Sequence, residues 1–169
     1  MNNFQIDLKE SQTESRKSYW LESIYPQYFP TIISSSLHDN DKEYQKYGID
    51  RMIFLKDGYK IGIDEKTRYT DYGDLLLEES SSIEYNTPGW IEKQQWIDYI
   101  VYNILPIQKC YLIPFIPLQN AWKQNKEQWK QQYKEIRAIN DGYTTLSWPI
   151  PPLTLFISMT QSQIINYIK

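Results

Sequence analysis

The sequence predicts a mixed α/β (α+β) fold, a mixed β-sheet flanked by helices. Three observations carry this expectation. Residues 48–66, GIDRMIFLKDGYKIGIDEK, set two apolar runs, Met52-Ile53-Phe54-Leu55 and Tyr59 to Ile63, around Lys56-Asp57-Gly58. That is the pattern of strand, tight turn and strand. Further apolar runs recur at Asp74–Glu78, Asp98–Ile104 and Cys110–Phe115. From Pro117 to about Ala138, Leu118, Trp122, Trp129, Tyr133 and Ile136 recur at roughly helical spacing amid Lys, Gln and Glu. The order of elements is therefore α, β hairpin, β, β, β, α.

Taken along the chain, residues 1–12 are polar and read as loose. Ser11 or Thr13 can cap a helix from about Glu14 to Ile24, with Trp20, Leu21 and Ile24 on its inner face and Pro26 and Pro30 bounding its end. Thr31-Ile32-Ile33 reads as a short strand, and His38–Lys46 as a solvated loop into the hairpin. Thr67–Gly73 is turn-prone, Asp74–Glu78 is the third strand, Ser80–Pro88 a loop, and Gly89–Lys93 a short turn or helix. Pro106–Lys109 turns one strand into the next. Asn140-Asp141-Gly142 terminates the long helix, and Tyr143–Trp148 is a last strand. Pro149–Pro152 is a break before a short irregular or helical tail, Leu153–Lys169. No internal repeat is visible, and residues 1–169 read as a single domain.

The turn of the hairpin decides which side chains share a face. A two-residue Asp57-Gly58 turn would set Asp50 opposite Glu65 and send Asp64 to the other face. A three-residue loop with Gly58 in the left-handed position sets Leu55 against Tyr59, Ile53 against Ile61 and Asp50 against Asp64. A slip of one residue exchanges the faces, so the two registers are distinct expectations. The second register collects Phe54, Met52, Asp50, Lys60, Gly62, Asp64 and Lys66 on one side. Leu55, Ile53, Ile49, Tyr59, Ile61 and Ile63 fall on the other, with Arg51 and Glu65 as exceptions. Because that second side is a good core face, the three-residue loop is preferred.

Composition narrows the class. At 41% hydrophobic and 23% charged residues the chain is ordinary for a globular protein and unlike a disordered one. Its 15 Tyr and 6 Trp serve cores and base stacking alike. A net charge of −3 is unlike a general nucleic-acid coat protein. It is compatible with a nuclease, which needs only a local basic strip and has metal ions to offset its carboxylates. A single cysteine, Cys110, rules out an internal disulfide and a cysteine-rich zinc site, and it reads as a buried strand residue. A single histidine, His38, argues against a histidine zinc site. No signal-peptide pattern opens the sequence and no apolar stretch approaches a membrane span, so a soluble cytoplasmic protein with no membrane partner is expected.

The hairpin also carries the chemistry. Phosphodiester hydrolysis needs an in-line water and stabilisation of charge on the phosphate, and a hard cation held by oxygen ligands supplies both. Asp50 and Asp64, facing each other across two strands, can hold one Mg²⁺ (or Mn²⁺), with the backbone carbonyl of Glu65 as a further ligand. Lys66 lies two residues beyond Asp64, hence on the same face, where its ammonium can orient the water or stabilise developing charge. Solvated strand ends are the plain alternative for Asp50 and Lys66. Glu78, closing the third strand, is a candidate for completing the metal site, against the alternative of a solvated strand end. Arg68, Trp90 and Lys93 are candidate nucleic-acid contacts by stacking and phosphate pairing, with a core role the competing reading for Trp90. Lys123, Lys126, Lys130 and Lys134 fall near one helical stripe that can bind phosphate or simply face solvent.

Asp50 followed by Asp64-Glu65-Lys66 on the next strand resembles the core motif of the PD-(D/E)XK nuclease superfamily, which includes restriction endonucleases and Holliday-junction resolvases. Leu76-Leu77-Glu78, Gly89-Trp90-Ile91 and Asp98-Tyr99-Ile100-Val101-Tyr102 resemble a small branch found in phage-type sequences. The resemblance runs from the helix near Glu14 to Ala138. It implies a restriction-endonuclease-like fold and a Mg²⁺-dependent endonuclease acting on DNA, often as a homodimer. It gives Asp50 and Asp64 the role of metal ligands and Lys66 a catalytic one. The sequence departs from the motif in having Ile49 rather than proline before Asp50. The acid frequent on the first helix matches Glu14, with Glu22 competing. A non-catalytic nucleic-acid-binding or protein-interaction module on the same fold is the alternative function.

Overall fold

The computed structural model describes residues 13–17 and 19–163; the readings made above for residues 1–12 and for the end of the tail lie outside them. A π-helical turn, Trp20–Ile24, runs into α1 (Tyr25–Tyr28). The chain continues through β1 (Ile32–Leu37), α2 (Lys42–Lys46), β2 (Arg51–Leu55), β3 (Lys60–Arg68), β4 (Leu75–Ser82), β5 (Thr87–Pro88), β6 (Tyr99–Ile104) and β7 (Lys109–Pro114). It ends with α3 (Phe115–Gln132), β8 (Ile136–Ile139), β9 (Thr144–Ile150) and α4 (Pro152–Gln161). The fold is mixed α/β, with one five-stranded and one four-stranded sheet. No helix among the described residues is long and apolar enough to cross a membrane.

The chain divides into two compact units, each assembled from separated stretches. The first takes the described residues up to Asp71 together with Gln94–Pro114, and the second takes Tyr72–Lys93 and the described residues from Phe115 onward.

In the first unit the strands lie in the order β1-β2-β3-β6-β7. All neighbours are antiparallel except β3 and β6, which run parallel. The helical segment before β1 packs on one face of this sheet through Trp20, Tyr25 and Phe29, which meet Ile53, Ile63 and Val101 in a buried cluster. Pro26 does not end the helical run. It lies just past the change from π to α geometry at Tyr25, and the run stops at Tyr28, two residues before Pro30. The expected loop at His38–Lys46 contains α2, capped by Asp41, whose carboxylate accepts the Glu43 N–H at 3.0 Å.

In the second unit the order is β5-β4-β9-β8. Helix α3 buries Phe115, Leu118, Trp122 and Trp129 along one side. It stops at Gln132, short of the expected Ala138. Ile136 fits the helical spacing, yet Ile136–Ile139 pairs antiparallel with β9 instead. Asn140-Asp141-Gly142 is the turn of that hairpin, with Gly142 at φ +82, rather than a helix terminator. Strand β4 extends through Ser82, and the expected loop returns as β5, pairing Ser80 with Pro88. Strand β9 runs on through Pro149 to Ile150, and Pro152 opens α4 from the first helical turn.

Candidate active site

The β2–β3 turn adopts the three-residue form. Gly58 takes φ +88. Its N–H donates to Leu55 O, and the Leu55 N–H donates to Tyr59 O, both at 3.0 Å. The ladder then pairs Phe54 with Lys60, Ile53 with Ile61, Met52 with Gly62 and Arg51 with Ile63. This is the register that directs Gly62, Asp64, Lys66 and Arg68 to one side of β3.

The ladder ends at Arg51, and Asp50 sits just past it. Its N–H donates to Ile63 O at 2.9 Å. Its carboxylate turns inward and accepts the Glu65 N–H at 2.9 Å through Oδ2. The charge of Asp64 lies close enough to act on it. Lys66 closes the group, with Nζ 2.8 Å from each Asp64 oxygen. Asp64 is 5% exposed, while the Lys66 side chain keeps 25% of its surface. Asp50, Asp64 and Lys66 thus meet on one face of one hairpin.

Burial, and then the neighbouring charge of Asp64, hold the Asp50 carboxyl well above the usual carboxylate range; Lys66 and the Glu65 N–H act in the opposite direction. Lys66, paired with Asp64, is the ammonium in this group.

The other candidates lie as follows. Glu65 contributes its N–H to Asp50, and in the parallel ladder it pairs with Val101. Arg68, half-buried, continues the Asp64–Lys66 row at the end of β3. Glu78, Trp90 and Lys93 belong to the second unit. Glu78 is half-buried on β4 opposite Ser147. Trp90 is 8% exposed, which makes it a core residue and leaves little ring surface for stacking. The Lys93 backbone carbonyl accepts from Gln119 at 2.9 Å. The α3 lysine stripe is committed within its own unit: Lys126 pairs with Glu92 at 3.2 Å and Lys130 pairs with Glu79. Lys134 lies past the end of the helix.

The reverse face of the same strands holds a network that sequence reasoning left as exceptions to a core pattern. Arg51 Nε lies 2.5 Å from Glu65 Oε1, and the Tyr25 hydroxyl donates to the same oxygen. Arg51 Nη2 donates to the Ser15 carbonyl. Glu14 belongs to this side as well: it accepts from Tyr19 at 2.7 Å, and Asn103, Val101's neighbour but one on β6, donates to that hydroxyl at 3.1 Å. Glu14 therefore has its own partners, and Glu22 is exposed on the π turn. Cys110 lies half-buried on this unit, its thiol pushed up to about 12 by burial and by the charge of Glu65.

Among the described residues no group of three or more His, Cys, Asp or Glu is arranged to hold a metal ion. The acidic donor set at the hairpin is two carboxylates, the number by which Mg²⁺ is commonly held when waters and phosphate oxygens complete its shell. Hard oxygen donors suit such a cation.

No family model matches the chain, and no curated protein or solved structure matches it either.

Proposed function

We propose that this protein is a metal-dependent nuclease of the PD-(D/E)XK kind that hydrolyses DNA phosphodiester bonds. The single observation that supports this reading is the convergence of Asp50, Asp64 and Lys66 on one face of β2–β3, with Lys66 paired to Asp64 and Asp50 accepting the intervening Glu65 N–H. Asp50 and Asp64 would hold Mg²⁺ or Mn²⁺, which when bound supplies charge neutralisation at the phosphate and an activated water. Bound there, the cation would favour the ionised form of Asp50, which burial disfavours in its absence. Lys66, partly exposed and two residues from Asp64, orients the attacking water and stabilises charge building on the phosphate oxygens. Arg68, next on the same row, is the natural backbone contact.

The test is cleavage of plasmid and branched DNA in Mg²⁺ or Mn²⁺. Asp64→Ala and Lys66→Ala should each lower the rate by roughly 10²-fold or more in chains that remain folded by circular dichroism. Wild-type rates in both variants would sink the assignment. The bidentate Lys66–Asp64 pair favours one second reading, a DNA-binding module without catalysis, for which binding falls with salt and no divalent ion produces cleavage.

A further inference from the structure

We infer that Tyr47 and Trp96 form a stacking platform for an unpaired base of a nucleic-acid strand, beside the carboxylate pair. The inference rests on the phosphodiesterase reading of that pair and names its substrate class. The two rings are stacked, with centroids 4.4 Å apart and planes 18° apart. Tyr47 covers one face of the indole, yet Trp96 remains 65% exposed, so its other face is turned to solvent. Lys46 is exposed, with Nζ 5.8 Å from the Tyr47 ring centroid.

The platform is held by backbone. The Trp96 N–H donates to Tyr47 O at 3.0 Å. Gly48, at φ +77, lies so close beneath Gln95 that a Cβ there would come within 2.7 Å of the carboxamide carbon. One turn further, the Asp98 N–H donates to Gly62 O at 2.8 Å, and the Gly62 N–H returns a bond to the Asp98 carboxylate at 2.8 Å. A fixed aromatic face gives up little conformational freedom on binding, which is the condition for a strong contact.

Its place is next to the chemistry. A Cβ on Gly62 would meet Trp96 O at 2.9 Å. Gly62 precedes Asp64 on the same side of β3, roughly 7 Å along the strand. Tyr47 is three residues before Asp50 in sequence. A strand whose base rests on Trp96 has its adjoining phosphates within reach of the carboxylates and Lys66. Exposed Lys46 sits beside the Tyr47 ring, and exposed Gln94 lies two residues before Trp96 in the chain. A lysine beside paired rings suits a base and its anionic backbone. Aromatic faces beside a cation accept any base, and a base inside a duplex has no free face to offer.

The experiment is fluorescence anisotropy of a labelled oligo(dT) with the full chain in EDTA, repeated with a fully paired duplex. Trp96→Ala should weaken oligo(dT) binding by about 5- to 150-fold and leave duplex binding unchanged. Trp96→Phe should recover most of the loss. Abasic substitutions should weaken the wild type more than Trp96→Ala. Equal oligo(dT) affinity in wild type and Trp96→Ala, with equal melting temperatures, overturns the platform, as does an equal loss on duplex. Cleavage separates this from the parent reading. Trp96-dependent binding without cleavage in any divalent ion removes the nuclease and keeps the platform. Cleavage of unpaired substrates at wild-type kcat/KM by Trp96→Ala removes the platform and keeps the nuclease.

Discussion

Replacing Arg51 with methionine tests the account of the hairpin most sharply. Arg51 and Glu65 stand on β2 and β3, directly behind the two acids of the site. Their side chains are 5% and 0% exposed, and Arg51 Nε lies 2.5 Å from Glu65 Oε1. The other carboxylate oxygen, Glu65 Oε2, is buried with no hydrogen-bond partner. Arg51 is thus the cation that compensates a carboxylate cut off from water. Removing one member of such a pair costs about 3–5 kcal/mol, because the other charge is left uncompensated. For a chain of this size each kcal/mol shifts the melting temperature by roughly 2–4 °C, so the loss should be roughly 6–20 °C. The complement is Arg51→Met with Glu65→Leu and Tyr25→Phe, which removes both charges and the hydroxyl that donates to Glu65. That triple variant should recover most of the loss, since a buried pair replaced by apolar groups of similar volume is often neutral or stabilising. Urea unfolding at pH 7, followed by far-UV circular dichroism and tryptophan fluorescence together, measures all of these. A loss below about 1 kcal/mol for Arg51→Met, or a triple variant less stable than Arg51→Met alone, refutes the reasoning.

Three further outcomes follow from the structure. Asp50 carries a raised folded-state pKa, so its neutral form favours folding, and that contribution is present below the unfolded carboxylate value and lost as pH rises through the folded one. Without divalent ions, Asp50→Asn should therefore be more stable than wild type at pH 7, with the gap closing as pH falls toward about 4, read by urea titration in EDTA at both pH values. Added Mg²⁺ should then raise the melting temperature of wild type and not of Asp50→Asn. In the second unit, a Cβ on Gly89 would fall 2.1 Å from Glu78 O, a backbone atom that cannot turn aside. Gly89→Ala should cost about 1–3 kcal/mol or more, measured by thermal melting, whereas full stability would show that β4 yields easily.

The hairpin was legible because its information is local. Lys56-Asp57-Gly58 is a turn signal, only Gly58 suits the left-handed position, and alternation on either side selects one register over the other. Asp64 and Lys66 follow from that register by counting. Asp50 follows only in part: its side is right, but it lies past the ladder and engages the Glu65 N–H. The end of α3 was misjudged because Ile136 satisfies helical spacing and strand alternation equally, and β9 settles the matter by pairing with it.

The amino-acid order by itself determined the class of fold and the face of β3 that bears Asp64 and Lys66. Contacts between residues far apart in the chain decided the rest. Arg51 and Glu65 were charges misplaced on a core face until Tyr25, 40 residues from Glu65, supplied the partner that closes their network. Lys126 and Lys130 read from sequence as a solvated face able to bind phosphate, and the structure pairs them with Glu92 and Glu79. Trp96 was one more aromatic until Tyr47 covered one of its faces and left the other bare. Periodicity reports which way a side chain points within its own element; the partner it meets there is set by chain closure over tens of residues, on which local spacing carries no information.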